Sequence, residues 1–266
     1  MIASILLVPE DMLDSETTLN IPRALLTTSC THALEMSAIL ANVQPGDEVI
    51  TVANSWISTS QTITQTGARV VFVDIDPDYY TIDTSMIEEK ITERTKAIIP
   101  VHLYGHPANM SEIISIAKKH NLKVIEDCAQ AHFAKWNGQN VGTMGHAGTF
   151  SFFPGKNLGA YGDAGCIVTN DDELAVKARM FASHGALKKH HHEFEGINSR
   201  LDGLQAAILS VKLKYINEWT SLRIQHAATY NKLLSDTEYI TFPVTHSEAK
   251  HVFHLCLCQR GRLLRE

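Results

Sequence analysis

The sequence has no apolar run long enough to span a bilayer and no excess of basic residues. A transmembrane helix needs about 20 consecutive apolar residues, and the opening stretch MIASILLVPEDM lacks the basic start of a secretory signal. Lys and Arg number 23 against 29 Asp and Glu, which gives a net charge of −6. Nucleic-acid binding needs a clustered basic surface. We therefore expect neither a membrane nor a nucleic acid as partner.

Cysteine is scarce as well, and its number is odd. The five cysteines are Cys30, Cys128, Cys166, Cys256 and Cys258. A chain of 266 residues buries enough core to fold without disulfides, and Cys-x-Cys at 256–258 has no second ligand pair that would indicate a metal site. The sequence therefore predicts reduced thiols, no bound metal and a cytoplasmic location.

Short runs rich in Val and Ile alternate with helical patterns along most of the chain. The predicted strands are 47–52, 68–74, 96–102, 122–127, 148–154 and 165–170. The predicted helices are one from about residue 31, those near 56–66, 84–92 and 109–120, one from about 171, and a long stretch over 202–234 with room for one break. This alternation predicts an α/β fold with a mainly parallel central sheet. Ligands of such sheets bind at the carboxyl ends of the strands.

Lys156 is the first candidate for chemistry, because it follows an apolar strand and is flanked by glycines in SFFPGKNLGAYGDAG. A lysine on a tight, partly desolvated turn loses its proton more readily and can form a Schiff base. The alternative is a loop lysine in water, the ordinary location of this residue type.

Asp127 closes the strand LKVIED and precedes Lys156 by 29 residues. An acid at this position is often only a turn residue or a helix cap. Alternatively, it supplies the carboxylate that keeps the ring nitrogen of pyridoxal phosphate (PLP) protonated. Gln130, three residues later, either orients the hydroxyl side of that ring or solvates a turn.

Hydroxyl and thiol side chains precede the predicted helix in TTSCTHALEM, residues 27–36. The free N–H groups of a helix start suit a phosphate, although an ordinary N-cap explains the same residues. Ser151, on the strand before Lys156, is positioned to add a hydroxyl. Trp56 either covers a ring face or belongs to the core.

Other catalytic or metal-binding patterns lack support. The three histidines 190–192 point in different directions on any regular element, and with His184 they indicate a solvated loop rather than a zinc site. The sequence contains neither the GxSxG pattern of many hydrolases nor a GxGxxG pattern after the first strand. Hydrolase and nicotinamide-dependent activities are therefore not expected.

The order of the motifs is more specific than any one of them. Taken together, they resemble the DegT/DnrJ/StrS family of sugar aminotransferases over about residues 25–255. The motifs are TTSCTHALEM, PGDEVITVANSWISTSQ, VHLYG, VIEDCAQAH, FSFFPGKNLGAYGDAG and GINSRLDGLQAAIL. The resemblance implies a PLP enzyme of fold type I (aspartate aminotransferase-like) that acts as a cytosolic homodimer. Such enzymes move an amino group, usually from glutamate, to a nucleotide-linked keto sugar.

The resemblance also implies roles for individual residues. Lys156 corresponds to the lysine that forms the Schiff base with PLP and shuttles the proton. The expected cofactor-binding residues are Cys30 and Thr31 with Ser151 at the phosphate, Trp56 stacked on the ring, Asp127 at the ring nitrogen, Gln130 at its hydroxyl side, and Asn198 at the phosphate of the partner subunit's cofactor.

The chain departs from the family pattern in places. Phe133 stands where the family usually has glycine, and we expect it to crowd the turn. The sequence predicts an atypical N-terminal segment over 1–24, a PLP-binding large domain over 25–210, and a linking helix with an incomplete small domain over 211–266. HVFHL matches the start of the small domain, whereas CLCQRGRLLRE does not match the pattern.

Two alternative functions follow. A PLP-dependent sugar dehydratase of this family has histidine in place of the lysine, so Lys156 argues against that activity. A truncated, catalytically impaired remnant that keeps the scaffold is the non-enzymatic alternative.

Overall fold

A seven-stranded sheet forms the centre of the structure, a computed structural model that describes residues 23–260. The strands are β1 Arg23–Thr27, β2 Glu48–Val52, β3 Arg69–Val73, β4 Thr95–Ile99, β5 Lys123–Asp127, β6 Lys135–Trp136, β7 Gln139–Asn140, β8 Ala147–Ser151, β9 Gly165–Thr169, β10 Ile240–Thr241, β11 Ala249–Lys250 and β12 Gln259–Arg260. The helices are α1 Cys30–Leu40, α2 Ile57–Gln65, α3 Met110–Lys119, α4 Asp172–Phe181, α5 Gly203–Leu213 and α6 Ile216–Leu234. The predicted segment 1–24 lies, up to residue 22, outside the described residues.

The central sheet has the strand order β1-β9-β8-β5-β4-β2-β3. The pairs from β8 to β3 are parallel, whereas β9 runs antiparallel to both β8 and β1. Every residue of β2, β8 and β9 is buried, as expected for strands covered on both faces. The prediction of an α/β fold with a mainly parallel sheet is confirmed.

The helices agree with the predicted positions except in one segment. Where the sequence predicts a helix over 84–92, the structure has two short 3₁₀ helices, Thr84–Met86 and Glu88–Lys90. Asp83 caps the amino end of the first of them, because its side chain accepts a hydrogen bond from the backbone N–H of Ser85 at 3.0 Å. Ile87 is the only fully buried residue of this segment, so no continuous apolar face supports a longer helix.

Phe133 occupies the turn that follows β5. Its φ is +61°, a left-handed conformation that is costly for a residue other than glycine. The side chain is nevertheless buried and packs in the same core as Phe150 and Phe152. Phe133 therefore strains the backbone of the turn, and burial of its ring in the core offsets the energetic cost of that strain.

The last third of the chain packs against the same core as the sheet. Leu209 and Leu213 of α5, Ile216 of α6 and Val252 are buried there. The long helical stretch predicted over 202–234 is present with one break, between α5 and α6. The predicted domain division at residue 210 falls inside α5, and it stays a prediction.

Within residues 23–260, no helix combines the length and the apolar character needed to cross a membrane.

Candidate active site

A cavity of about 500 Å³ opens at the edge of the sheet where the parallel strands end. Its walls come from residues that follow β1, β2, β4, β5 and β8 and from residues that precede the antiparallel β9. Of the eight residues that the sequence singled out, seven line it: Cys30, Thr31, Trp56, Asp127, Gln130, Ser151 and Lys156. The topology therefore brings together groups that lie far apart in the sequence.

Asp127 is the last residue of β5 and is 4% exposed. Its Oδ2 accepts a hydrogen bond from Thr59 Oγ1 at 2.8 Å, and its Oδ1 accepts one from the backbone N–H of Ala129 at 3.1 Å. Burial raises the pKa of the Asp127 carboxyl, and these two donors together with the charge of Lys156 oppose the increase. The carboxyl group is thus fixed in orientation, and burial increases its affinity for a proton.

Lys156 lies on the turn that follows β8, where its backbone N–H donates to the carbonyl of Phe153 at 2.9 Å. Burial lowers the pKa of the Lys156 amine, while the nearby Asp127 carboxylate raises it. A lowered pKa increases the fraction of uncharged amine, which is the nucleophilic form. Lys156 is therefore not an ordinary loop lysine in water, because it is half-buried and shares a cavity with a carboxylate.

The amino end of α1 forms one wall of the cavity. Ser29 is the N-cap, and its Oγ accepts a hydrogen bond from the backbone N–H of His32 at 3.2 Å. The N–H groups of Cys30 and Thr31, in the first turn, have no acceptor within the helix, and both residues line the cavity. Burial raises the pKa of the Cys30 thiol well above its ordinary value, so the thiol stays neutral. This wall suits an anion such as a phosphate.

Gly165 allows this wall to pack against β9. A Cβ at this position would lie 2.4 Å from the carbonyl carbon of Ser29 and 2.5 Å from the nitrogen of Cys30. Both contacts are with backbone atoms, so a larger residue displaces the turn at the start of α1.

We expect Gly165→Ala to lower the free energy of unfolding by about 1–3 kcal/mol through overpacking and to weaken anion binding at α1. Urea unfolding and a titration with PLP measure the two effects. Gly203→Ala is the matched control, because a Cβ there meets nothing within 4 Å. Equal stability of the two variants would contradict the close packing of β9 against α1.

Trp56 and Gln130 also line the cavity. Trp56 is 74% exposed, so the alternative that it belongs to the core is wrong. Gln130 Oε1 accepts a hydrogen bond from the backbone N–H of Tyr104 at 2.6 Å, which leaves the amide Nε2 as the group available to a ligand. An exposed indole at a cavity suits a flat ring.

Asn198 does not line the cavity of its own chain. It is exposed, and its Oδ1 accepts a hydrogen bond from Arg200 Nε at 3.1 Å. The adjacent Ser199 is buried, with its hydroxyl 3.2 Å from Thr28 Oγ1. Asn198 is therefore presented to solvent close to the turn that leads into α1.

Sequence reasoning missed several cavity residues. Ser55 and Thr59 are linked by a 2.9 Å hydrogen bond between their hydroxyls, and Thr59 continues this chain to Asp127. The hydroxyl-rich run NSWISTS after a strand is the signal that would have found them. His254 also lines the cavity, but no local pattern relates it to residues that lie about a hundred positions earlier.

The described residues contain one group of metal-ligand type, formed by His102, Glu126 and Cys128. Hydrogen bonds already use its ligand atoms. His102 Nδ1 accepts from the N–H of Ala108 at 3.0 Å, so its Nε2 carries the proton and donates to Glu126 at 3.1 Å. The Glu126 carboxylate also accepts from three backbone N–H groups of residues 142–145. The arrangement is that of a structural network.

The histidines of the tract 190–192 are exposed. His192 Nδ1 donates to the carbonyl of His184 at 2.7 Å. The metal-ligand group found among residues 23–260 includes none of them.

Comparison with known proteins agrees with this geometry. A model of the DegT/DnrJ/EryC1/StrS aminotransferase family matches residues 17–262. The chain is 53% identical, over 84% of its length and 60% of the relative's, to a pleiotropic regulatory protein of Geobacillus stearothermophilus. It is 46% identical, over 85% of its length and 61% of the relative's, to the UDP-N-acetyl-3-dehydro-α-D-glucosamine 3-aminotransferase of Acidithiobacillus ferrooxidans. The chain thus spans about 60% of the length of these relatives.

A solved structure shows the same fold. The crystal structure of Streptomyces venezuelae DesV in complex with a ketimine intermediate superposes with a TM-score of 0.89 at 39% identity, and covers 92% of this chain and 66% of that one. Members of the matched family are PLP-dependent aminotransferases. The chain belongs to the DegT/DnrJ/EryC1/StrS aminotransferase family.

Proposed function

We propose that this protein is a PLP-dependent aminotransferase that moves an amino group from glutamate to a nucleotide-linked keto-deoxysugar. The observation that carries the proposal is the placement of Lys156 and Asp127 in the wall of one cavity, close enough for each charge to act on the pKa of the other. An amine and an acid on a single ring are what PLP chemistry requires of a protein.

The cavity residues fit PLP. Cys30, Thr31 and Ser151 offer N–H and hydroxyl donors to its phosphate, and Asp127 offers a carboxylate to its ring nitrogen. Trp56 presents an unpacked indole to the ring face. When bound, PLP supplies an electron sink and carries the amino group between substrates.

Lys156 has two tasks in this proposal. Its lowered pKa makes Nζ available to hold the cofactor's aldehyde group. Once the substrate amine has displaced it, the same Nζ would take the proton from the substrate carbon that bears the amino group and deliver it to the cofactor carbon that carried the aldehyde. Asp127 would keep the ring nitrogen protonated, and hydrogen bonds from Thr59 and from the N–H of Ala129 fix the orientation of the Asp127 carboxyl group.

The substrate class rests on the relatives. One of them, by its name, aminates carbon 3 of a UDP-linked 3-keto sugar. The cavity, at about 500 Å³ and open to one side, accommodates a ligand larger than a free amino acid. Glutamate is the amino donor that the family resemblance implies.

The function is tested in two steps. Protein purified with PLP is mixed with glutamate, and conversion of the cofactor to its amine form is followed by absorbance. Protein in the amine form is then mixed with a panel that includes UDP-N-acetyl-3-dehydro-glucosamine and dTDP-linked keto-deoxysugars, with mass spectrometry of the products. We expect both steps to proceed. PLP binding without conversion by glutamate would instead favour the impaired scaffold.

We further propose a homodimer in which each site includes Asn198 of the partner subunit. Asn198 is exposed and absent from the cavity of its own chain. Large apolar side chains are exposed on and beside the cavity wall, with Phe153 55%, Tyr161 74% and Leu204 72% exposed. Such exposed apolar side chains favour a protein partner.

Mixing two inactive variants tests the shared site. We expect Lys156→Ala and Asn198→Ala to be strongly impaired alone, whereas an equal mixture, after subunit exchange, regains roughly a quarter of wild-type activity. Half of the dimers are then mixed, and each mixed dimer has one intact site out of two. No recovery, although light scattering shows mixed dimers, would mean that each site lies within one chain.

The location proposed for the protein is the cytoplasm. All five cysteines are free, and Cys256 and Cys258 are exposed. Exposed free thiols persist in a reducing compartment.

A further inference from the structure

His254 reaches the cavity from a segment near the end of the described chain. We call residues 251–255 the strap. The backbone N–H of Val252 donates to the carbonyl of Gly105 at 3.0 Å, and that of Leu255 donates to the carbonyl of Tyr104 at 3.3 Å. The strap thus lies along the loop that follows β4, and His254 of the strap is half-buried in the cavity wall.

Two side chains fix the strap in this position. Asn157, the residue after Lys156, donates from its Nδ2 to the carbonyl of Val252 at 3.1 Å. Arg223 of α6 donates to the carbonyls of Phe253 at 3.3 Å and His254 at 3.2 Å. The position of the His254 backbone is therefore coupled to the turn that carries Lys156.

The same contacts determine the tautomer of His254. Because the Nδ2 of Asn157 donates to a carbonyl, the Oδ1 of Asn157 is the atom that faces His254, at 3.1 Å from its Nδ1. An amide oxygen only accepts hydrogen bonds, so the imidazole Nδ1 carries the proton. In the neutral ring, Nε2 is then an acceptor with a free lone pair, and no described residue donates to it.

The imidazole is neutral at physiological pH. Burial, with smaller contributions from the positive charges of Lys156 and Arg223, lowers the pKa of His254 to about 4. The ring therefore presents to the cavity a hydrogen-bond acceptor without charge.

We propose that His254 is a specificity residue for the sugar substrate, whose hydroxyl group donates a hydrogen bond to Nε2. The inference deepens the proposed function and rests on it. Both substrates of an aminotransferase use one cavity in turn. An acceptor lone pair attracts a sugar hydroxyl but repels the carboxylates of glutamate. Nε2 is thus suited to recognise the sugar and not the amino donor.

Two substitutions distinguish the contribution of Nδ1 from that of Nε2. His254→Asn keeps a donor near the position of Nδ1, and so the contact with Asn157, but it removes the acceptor at Nε2. His254→Gln places an amide oxygen near the position of Nε2. His226→Asn is the matched control, because His226 is exposed on α6, away from the cavity.

We expect His254→Asn to raise the KM for the keto sugar roughly 10- to 100-fold, as loss of a buried hydrogen bond does. The rate at which glutamate converts the cofactor should change by less than about twofold. His254→Gln should recover most of the affinity, and His226→Asn should match wild type. A wild-type KM in His254→Asn, or an equal loss in both half-reactions, would overturn the inference.

A readout that does not depend on turnover tests the same claim. Nitrogen NMR of histidine-labelled protein, with His254→Asn used to assign the signal, should show a protonated Nδ1 and an unprotonated Nε2 in the free protein. The Nε2 signal should move upfield when the nucleotide sugar that the enzyme aminates is added. The opposite tautomer, or no shift at saturation, contradicts the inference. Failure of wild-type protein to bind PLP contradicts the proposed function instead.

Discussion

Lys156→Ala is expected to lower aminotransferase activity by about 10⁴-fold, the upper range for loss of a positioned proton-transfer group. The variant loses both the amine that holds the cofactor and the base that moves the substrate proton. We expect a folded protein that retains PLP weakly, through its phosphate and ring contacts. Turnover, together with the visible absorbance of lysine-bound PLP, measures the effect.

Two controls separate chemistry from structure in this experiment. Lys156→Arg keeps a positive charge next to Asp127 but provides no nucleophile, so it should be as inactive as the alanine variant. Lys232→Ala changes an exposed lysine of α6 and should leave activity unchanged. Activity in Lys156→Ala within tenfold of wild type would disprove the assigned mechanism.

Asp127→Asn is expected to lower activity on the order of 10²- to 10³-fold, as removal of one fixed electrostatic group in a buried site does. The amide has nearly the shape of the carboxyl group, but it does not hold a proton at the ring nitrogen. Turnover under saturating PLP measures this effect and separates it from weaker cofactor binding. Asp236→Asn, at an exposed position, is the control.

The same substitution should stabilise the protein without cofactor at neutral pH. The pKa of Asp127 in the folded protein is raised above its ordinary value of 3.8, chiefly by burial. A raised pKa means that the folded state favours the protonated carboxyl group. The stability that the protonated Asp127 contributes is therefore present below pH 3.8 and is lost as the pH rises through the pKa of the folded state. Asparagine carries no such titration.

Thermal unfolding of wild type and of Asp127→Asn between about pH 4 and pH 8 tests whether the charged carboxylate destabilises the folded protein. We expect the melting temperature of Asp127→Asn to exceed that of wild type near neutral pH, with a difference that narrows as the pH falls. The buried histidines titrate in both proteins, so the comparison removes their effect. A difference that widens toward acid would show that the carboxylate is stabilised, rather than destabilised, in the folded protein.

Much of the sheet could be predicted from local sequence because its strands are buried on both faces. Runs such as DEVITV and LKVIED have Val and Ile at their centre and acidic residues at one end, so the existence of each strand is readable from the sequence. The helix predicted over 84–92 was wrong, because helix-favouring residues do not form a long helix in a segment where Ile87 is the only buried residue. Strand β1 and the hairpin of β6 and β7 were overlooked. The hairpin had a readable signal, since Asn137 and Gly138 both adopt the positive φ of a tight turn.

Seven of the eight candidate residues could be found from the sequence because each ends a strand, follows a strand or begins a helix. Their local setting is a property of short segments, and the topology of a parallel sheet gathers strand ends at one edge. Asn198 could be named only from the family resemblance, and its role requires a second chain. Thr59 was overlooked although the hydroxyl-rich run NSWISTS marks its segment, and only the structure shows that its partner is Asp127, 68 residues away.

The sequence by itself determined the alternation of strands and helices, the edge at which chemistry collects, and the lysine and the acid placed there. Those features depend on apolar periodicity and on residues close together in the chain. Only the tertiary structure decided the protonation tendencies of Asp127 and Lys156, the exposure of Trp56, and the presence of His254 with a fixed tautomer. These depend on burial and on partners from distant segments, and neither is encoded within any one stretch of the sequence.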